Sequence, residues 1–169
     1  MNQQDFNNDA SSGGTPDDIR GVLIQIEGGR LLLPNATVSE VLSYAEPEPV
    51  DEAPGWILGR IRWRGWQLPL VAWARLTGTA PNEVGGLGSK VALLKALHGN
   101  PRLPYFALLT QGFPRLVTVS RSALVAESVN GEAQPDVVLA SVLLNEDRAL
   151  VPNLDAIAGQ IETALEHAA

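Results

Sequence analysis

Three arginines spaced two residues apart, Arg60, Arg62 and Arg64, lie inside the stretch from Trp56 to Trp73, which also holds all four tryptophans of the chain. A guanidinium stays charged at any physiological pH, and its planar fork of donors fits a carboxylate or phosphate through two parallel hydrogen bonds. It binds and orients, and on its own it supplies neither a base nor a nucleophile. The groups that would add such chemistry are scarce. The sequence has no cysteine, which excludes disulfides, thiolate metal sites and a cysteine nucleophile. Its two histidines belong to no motif. His98 adjoins the turn Gly99-Asn100 and reads as a turn residue; His167 reads as the frayed end of a helix. No HExxH, no GxSxG and no carboxylate pair with a supporting partner occurs. Gly85-Gly86-Leu87-Gly88 is followed by Ser89-Lys90, the reverse of the order a phosphate-binding loop needs. The acids gather in loops and in the N-terminal stretch, where water solvates them. The expectation is a chain with no catalytic residue, no metal and no cofactor, whose arginines serve a binding surface.

The element that must present these arginines is a β-hairpin. Side chains alternate across a strand, with same-face residues roughly 6.5–7 Å apart. Ile57, Gly59, Ile61 and Trp63 then share one face, and Leu58, Arg60, Arg62 and Arg64 the other. Gly65, following Arg64, accepts the positive φ of a tight turn. Beyond it Trp66, Leu68 and Leu70 alternate with Gln67, Pro69 and Val71. A row of like charges is tolerated when it stays in water or meets an acidic partner. Arg and Trp also dominate protein interfaces, so Arg64, Gly65, Arg62 and Arg60 are the candidate partner-binding residues. The other reading makes the tryptophans core and the arginines a solubilising face. The acidic, proline-rich stretch from Glu46 to Pro54 either screens the row or is simply solvated.

The remaining chain supplies short strands. Of 169 residues 45% are apolar and only 5% aromatic, with 16 glycines and 12 prolines spread throughout, which suits many short strands joined by turns. Residues 1–18 carry almost no apolar content and are expected to be a disordered tail. Strands are expected over Gly21 to Ile26, Arg30 to Leu33, Val91 to Leu97, Tyr105 to Thr110, Leu116 to Val119, Leu124-Val125, Val137 to Leu144 and Ala149 to Val151. Asn130-Gly131 marks a turn. Asn35 caps an expected helix in which Val38, Val41, Leu42 and Ala45 form one stripe and Glu40 and Ser43 stay exposed. Leu154, Ile157, Ala158, Ile161 and Leu165 give a C-terminal amphipathic helix capped by Asn153. The loose repetition of short strands in both halves suits two small β-barrels. A net charge of −7 disfavours general nucleic-acid binding. No secretory signal and no apolar run near the ~20 residues of a membrane span is visible, so a soluble, cytoplasmic protein is expected.

The order of these pieces resembles the CheW family of chemotaxis coupling proteins. The residues that carry the resemblance begin with Gly29-Arg30-Leu31-Leu32-Leu33-Pro34, leading into Val38-Ser39-Glu40-Val41. Then come Ala53-Pro54-Gly55-Trp56-Ile57-Leu58-Gly59 and Arg64-Gly65-Trp66-Gln67-Leu68-Pro69-Leu70-Val71. Tyr105-Phe106-Ala107-Leu108-Leu109 and Ala149-Leu150-Val151-Pro152 before a helix complete the series. The resemblance spans about residues 20 to 165. It implies a mainly β fold of two five-stranded SH3-like barrels in tandem, with a short helix in the first half and a C-terminal helix. Residues 19–168 would form one such domain of two intertwined barrel subdomains. It implies a non-catalytic adaptor joining a chemoreceptor signalling domain to a histidine kinase regulatory domain, without nucleic acid or membrane insertion, and it gives Arg64 a part in receptor contact. Arg62-Trp63 replaces the usual Asn before Arg-Gly, Ala72-Trp73 stands where an Asp is usual, and Thr118-Val119-Ser120 replaces a valine-aspartate pair. These departures resemble the accessory coupling proteins of pilus-linked, twitching-type systems. The alternative class is a small β-barrel module for nucleic acid or peptide, with the arginines and tryptophans as a charge and stacking platform.

Overall fold

The structure, a computed structural model, describes residues 18–97, 99–127 and 135–168. The expected N-terminal tail up to residue 17, His98 and the Asn130-Gly131 turn lie outside the described residues.

Aliphatic runs cut by glycine, proline and asparagine turns form strands throughout. In chain order they are β1 (Ile19–Ile26), β2 (Gly29–Pro34), β3 (Val38–Ser43), β4 (Ile57–Trp63) and β5 (Trp66–Val71). A one-turn helix α1 (Trp73–Leu76) follows, then β6 (Lys90–Lys95), β7 (Tyr105–Thr110), β8 (Arg115–Val119), β9 (Leu124–Ala126), β10 (Val138–Leu144), β11 (Asp147–Pro152) and α2 (Leu154–Ala168). They assemble into two sheets among the described residues. One has the order β8-β1-β2-β11-β10-β9 and the other β3-β6-β7-β5-β4. The first therefore has six strands against the five expected, the short β9 pairing along β10 through Val125 and Leu143. The first two strands belong to the same sheet as the last four, joined by the parallel pair of β2 with β11 at Leu31 and Leu150. The chain thus begins and ends in one sheet and builds the other in between.

Each sheet curls around its own apolar filling. Leu23, Leu32, Val119, Val142, Leu144 and Ala149 fill the first, and Leu68, Leu70, Val91, Leu93, Ala107 and Leu109 the second. A third, larger core lies between them. It joins Ile24, Leu31 and Leu33 of the first sheet to Val71, Ala92, Leu94, Phe106 and Leu108 of the second. Trp73 and the α2 face of Leu154, Ile157, Ala158 and Ile161 complete it. Asn153 caps α2 as expected, its side-chain Oδ1 accepting the Ala156 N–H at 3.1 Å.

The helix expected from Asn35 is a strand. Only a single 3-10 turn, Asn35–Thr37, precedes β3, which pairs antiparallel with β6. The register shifts between Val38 and Glu40, so Val38 faces Leu94 while Val41 faces Ala92. A bulge places one extra residue in a strand, and residues three apart then share a face, as they would on a helix. The apolar spacing is that of a bulged strand, not of a helix. The same device corrects the hairpin faces. A shift between Ile57 and Gly59 sets Ile57 opposite Val71, while Leu58 packs with the filling of the second sheet. Leu58 therefore leaves the arginine face and Ile57 joins it.

The turn region after β5 is fixed by Glu83, which is almost fully buried. Its carboxylate accepts the Ala74 N–H at 2.9 Å, and its carbonyl accepts Arg75 Nε at 2.7 Å. Burial pushes the Glu83 carboxyl above its ordinary value; the Ala74 hydrogen bond opposes that rise in part.

Candidate functional site

The hairpin of β4 and β5 is closed by two residues, with Trp63 directly opposite Trp66. Arg64 has φ 48° and Gly65 φ 83°. Positive φ at both central positions defines a type I′ turn, whose twist matches the strands it joins. Gly65 fills its place without strain. Arg64 does not: the left-handed region costs a non-glycine residue on the order of 1 kcal/mol. An arginine kept at a position that favours asparagine or glycine points to use of its side chain.

That side chain turns back over the strand. The Arg64 guanidinium lies 4.9 Å from the centre of the Trp63 ring and 3.9 Å from Glu40 Oε2. Trp63 donates its Nε1–H to the same Glu40 carboxylate and meets Tyr105 edge-on, 5.1 Å between ring centres. Glu40 comes from β3, at the opposite edge of the sheet, so this cluster closes the seam between β4 and β3 at one mouth of the curl. Arg62 stays on the strand face opposite Gln67 and reaches Glu48 at 3.6 Å. Arg60 is half-buried beside it, with its backbone N–H and carbonyl bonded to Glu48 at 2.8 and 2.9 Å. Glu48 can lie there because of Gly59. At φ 147° a Cβ on Gly59 would overlap the Glu48 carbonyl and stand 2.9 Å from Pro47 Cβ.

The three arginines are therefore not an unbroken row. Arg60 lies under the Glu48 strap, Arg62 meets Glu48, and Arg64 swings to Glu40 and Trp63. Of the two readings of the acidic stretch, screening holds for Glu48. Glu40, expected on the exposed side of a helix, is a half-buried residue of β3 and meets the hairpin for that reason. The tryptophans divide: Trp73 is core, Trp56 and Trp63 are half-buried, and Trp66 is 39% exposed at the hairpin end.

A second concave feature, about 400 Å³, opens between the first sheet and the α1 segment. Ile26, Trp73, Val138 and Leu150 line it, with Arg30 and Arg148 at its rim. Arg148 is engaged by Glu127 through bonds of 2.9 and 3.0 Å, which hold that carboxyl below the ordinary carboxylate value. His167 lies in the last turn of α2 with Nδ1 2.7 Å from the Thr163 carbonyl oxygen. Among the described residues no group of three or more His, Asp or Glu is placed to hold a metal ion, and no helix is long and apolar enough to cross a membrane.

The sequence matches the CheW-like domain family over residues 20–162. A comparison with curated protein sequences finds no match. Among solved structures, the chain is similar to the scaffolding protein TtCheW from Thermoanaerobacter tengcongensis. The two are 14% identical, with a TM-score of 0.68, over 86% of this chain and 91% of that one.

Proposed function

This chain belongs to the CheW-like domain family, and from that premise we propose that it is a non-catalytic adaptor coupling a chemoreceptor signalling domain to the regulatory domain of a histidine kinase. The observation that carries this reading is the Arg64-Gly65 turn. A charged side chain is held there at a backbone cost, stacked on Trp63 and exposed to solvent. The chemistry of the site supports it. Exposed guanidinium groups, one of them stacked on Trp63, suit the binding and orienting of a partner, and among the described residues no acid, base and nucleophile converge on the hairpin. Two curled sheets packed on one shared core give a single body, as a scaffold requires. The similarity to a protein described as a scaffold points the same way. Arg62-Trp63 and Ala72-Trp73, where the family pattern differs, favour a divergent member working in a pilus-linked system.

The receptor contact is assigned to Arg64 and Gly65, with Arg62 beside them and Arg60 setting the strand edge. A pull-down of the full chain against a receptor signalling domain and against a kinase regulatory domain tests the proposal. Retention by both is expected. A well-folded chain retained by neither refutes the adaptor role.

A further inference from the structure

Arg62 and Arg64 have more hydrogen-bonding capacity than the fold uses. Each guanidinium carries five N–H donors in a fixed fork. Among the described residues the Arg62 guanidinium makes one ion pair, 3.6 Å to Glu48, and that of Arg64 lies 3.9 Å from Glu40 and over the face of Trp63. Both ion-pair distances exceed hydrogen-bonding range, and the two side chains are 76% and 73% exposed. Such pairs contribute little to stability. Both carboxylates stand on the β3 side of the seam, Glu40 within the strand and Glu48 just after it. Glu48 is held at its place by the backbone bridge to Arg60 over Gly59 rather than by the ion pair. The forks thus face a seam where weak internal carboxylates already mark where carboxylates fit. On a chain of net charge −7, these two exposed guanidinium groups give an acidic partner a local point of attraction.

We propose that Arg62 is a second carboxylate-binding fork beside Arg64, with Glu48 as the internal counter-ion that the partner displaces, so that the seam takes an acidic protein segment presenting two neighbouring carboxylates. This deepens the receptor-contact reading and rests on it. Trp66, paired with Trp63 across the hairpin and 39% exposed, leaves apolar surface at the hairpin end. Arg62 then sets specificity: a partner offering a single carboxylate satisfies Arg64 alone.

Calorimetric titration of a chemoreceptor signalling-domain fragment into the full chain tests this, with melting temperatures recorded for every variant. Arg62→Gln weakens binding about 10–100-fold, the worth of a hydrogen bond to a charged group. Glu48→Gln tightens it about 2–5-fold by removing a weak competitor. In the Arg62→Gln background Glu48→Gln has no effect. Wild-type affinity in Arg62→Gln, with weakened binding in Arg64→Gln, overturns the second fork while the receptor reading stands. Weaker binding by a well-folded Glu48→Gln overturns the counter-ion role. No binding by the wild-type chain removes the receptor reading and this proposal together.

Discussion

Arg64 combines features that pull against each other: a strained backbone, an exposed charge and a weak internal partner. Its pair with Glu40, at 3.9 Å and 73% exposed, contributes little to folding. Arg64→Glu is therefore expected to weaken binding to a receptor signalling domain while shifting the melting temperature by no more than about 2 °C, as a surface substitution does. A large loss of stability would make Arg64 structural instead. Glu83 behaves oppositely. It is buried, and its carboxyl is pushed above the ordinary value chiefly by desolvation. A carboxyl raised in the fold binds its proton more tightly there than in the unfolded chain. Its contribution to stability is fully present below the ordinary carboxylate value and is lost as pH rises through the raised one. Glu83→Gln keeps an acceptor for the Ala74 N–H without the buried charge. Thermal melts should show the variant gaining on wild type as pH rises above the ordinary carboxylate value, and a constant gap would contradict this assignment.

At the scale of elements, two bulges decide how the hairpin and its neighbour present their side chains. The strands of regular alternation were legible: Tyr105–Thr110 is bounded as its sequence pattern predicts, and the C-terminal helix with its Asn153 cap is where the apolar spacing puts it. β3 was not, because a bulge between Val38 and Glu40 brings Val38 and Val41 to one face and imitates a helical stripe. The bulge at Leu58 likewise exchanged Ile57 and Leu58. No local pattern announces a bulge; it is imposed by the partner strand. Gly59 shows what such an irregularity carries. Its positive φ and lack of a side chain let Glu48 bridge to β4. Gly59→Ala should cost about 2–3 kcal/mol from backbone strain and the displaced strap, measured by urea unfolding. An unchanged midpoint would show that the strap does not depend on this close approach.

Over the whole molecule, the two sheets and α2 share one core through Ile24, Leu31, Phe106, Trp73 and Ile157. That shared core makes the sheets one body and fixes the Arg64 turn relative to the cleft edged by Arg30 and Arg148. The candidate residues on the hairpin could be read from the sequence because arginine spacing and the turn glycine are local. Of their counter-charges, Glu48 lies in the acidic stretch that the sequence offers as a screen, but Glu40 meets Arg64 only through the closing of a curled sheet, which no local spacing encodes. Coupling requires that receptor and kinase occupy different parts of this body at once. Sedimentation velocity of the full chain mixed with a receptor signalling-domain fragment and a kinase regulatory domain measures this directly. The adaptor account predicts a ternary species larger than either binary complex. Two binary complexes that exclude each other, or no complex with either protein, would contradict it.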